Sequence, residues 1–356
     1  MAFSRSIFLT GFPGFIAERL VARLIDPGTQ FFLLVQPQFV GSAAASVERL
    51  ADAAGVPLEN FALIEGDVTL PGLGIPADDL KTIREETTEV FHLAAVYDLA
   101  VDRETAMAVN LEGTRNVNDL CRSIGDLTRY NYVSTCYVAG KRTGRILETE
   151  LTHSAGFRNF YEESKYLAEI EVEELKEILP ATIYRPSVVV GDSTTGETAK
   201  YDGIYYLIGY LLRSPSLLRL VNVGSKDVRL NLVPVDFVAD SIAELSADPL
   251  AVGETVAIAD SSPLTTATLF DVIAESLTGK RSVLTPPASL VQSSLMLSVS
   301  PGLTGLPHAG VPYFFLSQEY DTAVAERLLA PHGIAAPRFD EYAPKVVEHM
   351  RSHQAA

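Results

Sequence analysis

The 356-residue sequence predicts an α/β protein built on a doubly wound parallel sheet, and three observations carry that prediction. Short apolar runs rich in β-branched and aromatic residues alternate with helix-length amphipathic segments, the pattern of βαβ units. The runs are too uniformly apolar to alternate inward and outward, as befits strands covered by helices on both faces. A glycine-bearing turn, Thr10-Gly11-Phe12-Pro13-Gly14-Phe15-Ile16-Ala17, ends the first run and opens the first helix.

Taken in order, strands are expected at 6–10, 31–35, 61–65, 89–93, 130–134 and 181–184. Between them, a helix over 15–25 places Ile16, Leu20 and Leu24 on one face, and a helix over 113–124 gathers Val117, Leu120, Cys121 and Ile124. After Gly191 the texture becomes polar, then turns apolar through Tyr205, Tyr206, Leu207, Ile208, Tyr210, Leu211 and Leu212. Regular α/β texture returns with a strand at 229–233, a helix over 235–247 and a strand at 254–259. From 282 to 318 there is no Asp, Glu, Lys or Arg, and Pro286, Pro287, Pro301, Pro307 and Pro312 interrupt the stretch, so it is expected to form a buried cap of short pieces. The expected organisation is a Rossmann-type dinucleotide-binding domain over 1–192, with 227–260 returning to it. A smaller, discontinuous C-terminal substrate-binding domain is assigned to 193–226 and 261–356.

Composition narrows the function. Lys+Arg total 28 against 45 Asp+Glu, a net charge of −17, which opposes the phosphate neutralisation that nucleic-acid binding requires. With 47% hydrophobic and 21% charged residues the chain is of ordinary globular composition. Cys121 and Cys136 are too few for a disulfide framework and lack zinc-site spacing, so no metal is expected and a reducing cytoplasm is the default location. The apolar stretch before Gly11 is too short for a signal peptide. No run reaches the ~20 apolar residues of a spanning helix, which excludes an integral protein and leaves room for peripheral membrane contact.

Three constellations carry chemistry. Glycines at Gly11 and Gly14 let the backbone turn tightly and approach a pyrophosphate at the helix N-terminus. The spacing is G-x-x-G-x-x-A, and glycine turns between strand and helix also occur for purely structural reasons. In Tyr161-Glu162-Glu163-Ser164-Lys165, Tyr161 and Lys165 share a helix face that continues as Ala168, Val172, Leu175 and Leu179. A lysine in line with a core stripe either snorkels out to a glutamate or lowers the pKa of Tyr161, making the phenol a general acid for carbonyl reduction. Val133-Ser134-Thr135-Cys136 closes a strand, where a hydroxyl could hold a substrate carbonyl oxygen or merely satisfy loop backbone. Cys136 invites a rival reading as a thioester-forming nucleophile; with no helix-supported base evident near it, it is read as a small buried filler.

These signals, in this order, resemble the extended short-chain dehydrogenase/reductases. Gly66-Asp67-Val68, His92-Leu93-Ala94-Ala95, Asn110 within Val109-Asn110-Leu111-Glu112-Gly113-Thr114, and Tyr184-Arg185-Pro186-Ser187 match as well. So do Asn231-Leu232-Val233-Pro234-Val235-Asp236 and Tyr320-Asp321-Thr322, so the resemblance reaches nearly end to end. Within that group the glycine turn, the strand end at Ser134-Thr135 and Val233-Pro234-Val235-Asp236-Phe237-Val238 look most like fatty acyl-CoA reductases and thioester reductase domains. The resemblance implies that Thr135 holds the carbonyl oxygen, Tyr161 donates the proton, and Lys165 tunes Tyr161 and binds the nicotinamide ribose. It implies further that Gly11, Phe12, Pro13, Gly14, Phe15 and Ile16 cradle the pyrophosphate and that Gln36 stands at the adenosine ribose. Asp67 and Val68 would flank the adenine, Leu93, Ala94 and Ala95 would pass beside the dinucleotide, Asn110 would order the site, and Pro186, Ser187 and Val188 would border the nicotinamide.

Three departures bear on this. Ala17 replaces the third glycine. Val35-Gln36-Pro37-Gln38 stands where NADPH users of the family commonly place an arginine, and no acidic residue ends that strand; NADP(H) is favoured by the resemblance, with NAD(H) left open. No adenylation or carrier domain and no C-terminal extension is present, so the chain is expected to act alone on a diffusible or carrier-delivered substrate.

The expected activity is therefore NAD(P)H-dependent reduction of an acyl thioester, fatty acyl-CoA or carrier-bound, to an aldehyde and, with a second hydride, an alcohol. The alternative keeps the fold and cofactor but takes a free ketone, aldehyde, alcohol or nucleotide sugar. The uncharged 282–318 stretch argues against a sugar diphosphate and suits an acyl tunnel, while Arg213, Arg219, Lys226 and Arg229 could serve an anionic head group such as that of coenzyme A. A non-catalytic scaffold would not need the Tyr161, Lys165 and Thr135 set. A homodimer is compatible with the helical faces of such folds.

Overall fold

Along β1 (Arg5–Thr10), Ile7 and Leu9 point into one core and Phe8 into another, and all three are fully buried. The same division runs along β2 (Thr29–Val35), with Phe31, Leu33 and Val35 on one side and Phe32 and Leu34 on the other. A sheet with two dry faces needs helices on both, and the computed structural model has them. It describes residues 3–213, 221–298, 300, 301, 308 and 310–354.

The main sheet adds β3 (Phe61–Glu65), β4 (Glu89–His92), β5 (Arg129–Val133), β7 (Ala181–Pro186) and β10 (Thr255–Ile258), in the order β10-β7-β5-β4-β1-β2-β3. All neighbouring strands are parallel. The chain winds outward from β1 to β3, then crosses to β4 and winds the other way. That reversal leaves a crevice at the carboxyl ends of β1 and β4, where open α/β sheets bind ligands.

One face is covered by α1 (Phe15–Leu24), α2 (Val40–Ala54) and α8 (Val235–Ala247), through Leu20, Val47 and Ile242 among others. The other is covered by α3 (Ala77–Glu86), α5 (Gly113–Ser123) and α6 (Phe160–Leu175), through Ile83, Val117 and Val172. A short α4 (Arg103–Ala106) precedes α5. Outside the main sheet, β6 (Gly144–Ile146) pairs with β11 (Gln318–Tyr320), and β8 (Val188–Val190) with β9 (Leu232–Pro234). The run expected as a strand at 229–233 thus shortens to β9 and pairs away from the main sheet, while all six strands expected before residue 190 take their places in it.

A third core joins α7 (Ile204–Arg213), α9 (Thr266–Thr278) and α12 (Phe339–Gln354), around Ile208, Phe270 and Val346. Within 261–356, α11 (Ala323–Leu329) packs elsewhere: Ala325, Leu328 and Leu329 enter the core beneath α1 and α8. The uncharged 282–318 stretch departs from its expected burial. Its described part includes α10 (Ala288–Leu295), and although Val291, Val311 and Tyr313 are buried, Val283 is 79% exposed and Leu290 64%. Proline-broken pieces this short turn one face to the core and leave the other in solvent, since lack of charge alone does not bury a segment.

The polar interior is organised around Glu169 of α6, which is fully buried. Its Oε1 accepts hydrogen bonds from Arg185 Nε at 2.8 Å and Nη2 at 2.5 Å, and its Oε2 accepts one from the Ser134 hydroxyl. Arg185 also donates to the Glu148 carbonyl at 3.1 Å. Helix α6, strand β7 and the end of β5 are thereby locked together. Removing one partner strands a buried charge, so Glu169→Ala is expected to lower the unfolding free energy by about 3–5 kcal/mol, read from the guanidinium midpoint at an unchanged slope.

Candidate active site

The turn after β1 demands its glycines. Gly11 has φ +91°, and a Cβ there would lie 2.8 Å from the Ala94 nitrogen. Gly14 donates its N–H to the Gly11 carbonyl at 2.8 Å, and a Cβ on Gly14 would sit 2.5 Å from that oxygen. The turn delivers the first turn of α1, with its unpaired amides, to the crevice between β1 and β4.

Behind the turn runs a hydrogen-bonded chain. Ala94 N–H donates to Thr10 Oγ1 (3.1 Å), Thr10 Oγ1 lies 2.8 Å from His92 Nδ1, His92 Nε2 lies 3.0 Å from Thr114 Oγ1, and Thr114 donates to the Asn110 carbonyl (2.6 Å). The last bond uses the Thr114 proton, so His92 must carry its hydrogen on Nε2 and accept the Thr10 hydroxyl at Nδ1. Burial, with the charge of Lys165 adding to it, pushes the His92 imidazole down to about 3, which keeps it in this neutral state. Asn110 itself sits in a π-helical turn, Met107–Glu112. Its Oδ1 accepts from Val96 N at 2.9 Å and its Nδ2 donates to Ser164 Oγ at 2.9 Å, binding the loop after β4 to α6. π-turns recur at functional sites, and here the extra residue turns a side chain between two walls.

Helix α6 begins at Asn159, whose side chain accepts the Glu162 N–H at 3.0 Å. Tyr161 and Lys165 follow on one face, both buried. Lys165 does not snorkel: its Nζ donates to Tyr132 Oη and to the Val133 carbonyl, each at 2.9 Å. Desolvation pushes its ammonium down to about 7, with Glu169 opposing that shift. Burial raises the Tyr161 phenol above its ordinary value, with a hydrogen bond from Thr135 pulling the other way. From the sequence, Lys165 is expected to bring Tyr161 toward neutrality; its Nζ is turned to Tyr132 and Val133. Burial is the largest influence on the phenol.

Tyr161 packs edge-on against Tyr97 with centroids 5.1 Å apart, and clusters with Tyr137 and Tyr313. Tyr313, from the segment before β11, donates to Glu162 Oε1 at 2.5 Å and accepts from Asn159 Nδ2 at 2.7 Å. Cys136 is buried, donates to the Arg185 carbonyl at 3.1 Å and has its thiol pushed up by burial, which rules against a thiolate nucleophile and fits the filler reading.

A cleft of about 540 Å³ joins these parts. Gly11, Phe12, Pro13, Gly14, Phe15, Ile16, Gln36, Val68, Leu93, Ala94, Ala95, Thr135, Tyr161, Lys165, Pro186, Ser187 and Val188 all line it. Asp67 and Asn110 do not: Asp67 stands behind Gln36, and Asn110 behind the loop at Val96. Sequence reasoning missed Phe39, Tyr97, Tyr137 and the 198–202 segment, which also line the cleft. Lys200 there donates to the Tyr97 carbonyl at 2.9 Å. A second cavity of about 160 Å³ lies among Tyr206, Leu207, Tyr210, Val291, Leu295 and Phe314. Of the basic set expected to meet an anionic head group, the described members Arg213, Lys226 and Arg229 line neither cavity: Arg213 donates to the Gly209 carbonyl, Arg229 donates to that of Pro263, Lys226 is exposed, and Arg219 lies outside the described residues. Among the described residues there is no cluster of three metal-ligating side chains and no helix long and apolar enough to cross a membrane.

Fold and site together define the class, a nicotinamide-dinucleotide-binding domain of the extended short-chain dehydrogenase/reductase type. The family described as male sterility protein, an NAD-binding domain family, matches residues 9–242, and the chain belongs to it. Fatty acyl-CoA reductase wat of Drosophila melanogaster is 27% identical over 274 residues, covering 67% of this chain and 53% of the relative. The non-canonical nonribosomal peptide synthetase FrzA of Cladobotryum sp is 30% identical over 272 residues, 69% of this chain but 25% of that protein. The chain thus spans about half the length of the first and a quarter of the second. Among solved structures, the terminal R domain from the myxalamid PKS-NRPS pathway aligns over 100% of this chain and 92% of its own, with TM-score 0.82 and 22% identity, a likeness of fold.

The Lys165 shift has a measurable consequence. Between pH 7 and 10.5 the unfolded chain binds a proton that the folded chain has released, so this residue makes stability rise with pH through that window and fall as pH drops toward 7. Relative to Lys165→Met, the wild-type chain is expected to gain stability from pH 7 to 9, by at most about 1.4 kcal/mol per pH unit, in urea unfolding.

Proposed function

We propose that this chain reduces an acyl thioester, coenzyme A-linked or carrier-bound, to an aldehyde at the expense of a reduced nicotinamide dinucleotide. One observation carries the reading: Thr135, Tyr161 and Lys165 face the same cleft as the glycine turn, in a chain whose relatives include a fatty acyl-CoA reductase. The residues fit a dinucleotide. Ser187 Oγ is buried at the cleft wall with no hydrogen-bond partner among the described residues, as a group awaiting a polar ligand atom would be. The first turn of α1 suits the pyrophosphate.

When bound, the reduced nicotinamide supplies the hydride. Thr135 Oγ1 and Tyr161 Oη hold the thioester carbonyl oxygen, stabilising the charge that develops as the carbonyl carbon accepts hydride. Burial keeps Tyr161 protonated through neutral pH, so the phenol gives its proton to that oxygen and a hemithioacetal forms. Lys165, in its ammonium form one helical turn on from Tyr161, offsets the negative charge of the phenolate. On collapse the C–S bond breaks, the hydroxyl proton returns to Tyr161, and the leaving thiolate takes a proton from solvent. One hydride and one proton are consumed per aldehyde formed. The apolar cavity beside α7 takes the acyl chain, with Val188 lining the cleft and packing toward that core. We place the protein in the reducing cytoplasm, where two buried free thiols persist, and assign any membrane or dimer contact to the exposed apolar side chains around α10.

The test follows reduced-nicotinamide absorbance with a long-chain acyl-CoA and the matching aldehyde as separate substrates. Thioester-dependent oxidation with stoichiometric thiol release is expected; oxidation with aldehyde alone would instead favour a simple carbonyl dehydrogenase. Tyr161→Phe is expected to lower turnover by about 10²–10⁴-fold while dinucleotide affinity in calorimetry stays within about twofold. Thr135→Val is expected to lower kcat by about 10²–10³-fold.

A further inference from the structure

We infer that the adenosine end of the cleft selects NAD(H) over NADP(H), with Gln36 as the residue that sets the choice. This rests on reading the cleft as a dinucleotide site and goes beyond it in naming which dinucleotide enters.

The chemistry that distinguishes the two is a phosphate on the adenosine ribose, which brings roughly two negative charges and three strong acceptor oxygens. Such a group is held by cations or by a dense set of N–H donors. At the end of β2 the chain offers neither. Gln36 lines the cleft and is half-buried, but its Nε2 donates to Asp67 Oδ2 at 2.8 Å, and its Oε1 accepts from Gln38 Nε2 at 2.9 Å. Asp67 is held as a carboxylate: Thr69 N and Thr69 Oγ1 both reach its Oδ1 at 2.8 Å, and the hydrogen bonds keep its pKa below the ordinary value although burial pushes it up. A ribose phosphate here would face that carboxylate across one amide.

The cations of the cleft lie at its other end. Among the described lining residues they are Lys165, bonded to Tyr132 and Val133, and Lys200, whose Nζ lies 4.7 Å from the centroid of the Tyr97 ring that packs on Tyr161. Helix α2, which follows Gln38, carries a single cation, Arg49, and it is engaged by Glu18 of α1. A ribose hydroxyl, by contrast, fits the amide and carboxylate. It can donate to Gln36 Oε1 and accept from the Gln36 amide, with no charge to neutralise. Phe39, 47% exposed on the rim of the same end, adds an apolar surface suited to adenine.

The test is titration calorimetry of the full chain with NADH and with NADPH at about 0.1 M salt, without acyl substrate. NADH is expected to bind at least about tenfold more tightly, a difference of about 1.4 kcal/mol. Gln36→Arg is expected to raise NADPH affinity about tenfold and make it fall with added salt. Gln36 is on the surface side of the cleft, and an unchanged melting temperature will show that the variant folds. Equal or tighter NADPH binding by the wild-type chain overturns the inference, as does a folded Gln36→Arg variant with NADPH affinity unchanged. Binding of neither dinucleotide overturns this inference and the reading of the cleft together. Selective NADH binding without thioester-dependent oxidation sustains the inference while overturning the thioester reading.

Discussion

The buried pair of Arg185 and Glu169 is the constraint on which the site depends. Helix α6 brings Tyr161 and Lys165, β5 brings Thr135, and β7 runs on into Pro186 and Ser187; these three elements meet at one carboxylate. Lys165 lies one turn before Glu169, and Thr135 directly follows the serine that donates to it. An isolated buried carboxylate would be prohibitively costly, and a guanidinium fork together with a hydroxyl makes the arrangement specific in geometry as well as tolerable in energy. Glu169 also opposes the desolvation of Lys165, so the same group that sets positions sets charge.

The opposite wall is built on neutral hydrogen bonds. From Ala94 through Thr10, His92 and Thr114 to Asn110, each hydroxyl or ring passes one proton in one direction, so rotating any member would leave two neighbours unsatisfied. The chain couples the glycine turn to the π-helical turn that carries Asn110, and Asn110 reaches Ser164, next to Lys165. The two walls therefore meet on α6, one through an ion pair and one through amides and hydroxyls.

Much of this was legible in the sequence because it depends on local spacing. The apolar runs that became β1 to β5 and β7, the Gly11/Gly14 turn and the four-residue interval from Tyr161 to Lys165 express periodicities of strand, turn and helix. Partnerships across the fold were not legible. Lys165 finds Tyr132 and Val133 because β5 lies beneath α6, and no spacing announces that. Phe39, Tyr97 and Lys200 come to the cleft from three loops far apart in the chain. His92 could be seen as part of a motif, but its tautomer follows only from Thr114 and Asn110. The stretch from 282 to 318 misled because composition records which residues are apolar and not which way they face, and Leu290 and Met296 face solvent.

Tyr313 joins two parts of the molecule that the sheet does not connect. Its neighbours Phe314 and Phe315 form part of the wall of the apolar cavity beside α7, while its own hydroxyl is bound to Glu162 and Asn159 at the start of α6. The aromatic run thus has one end in the cavity wall and the other on the helix turn that carries Tyr161. Under the proposed reading, a tail filling the cavity would bear on the same short segment that is tied to the helix turn carrying Tyr161.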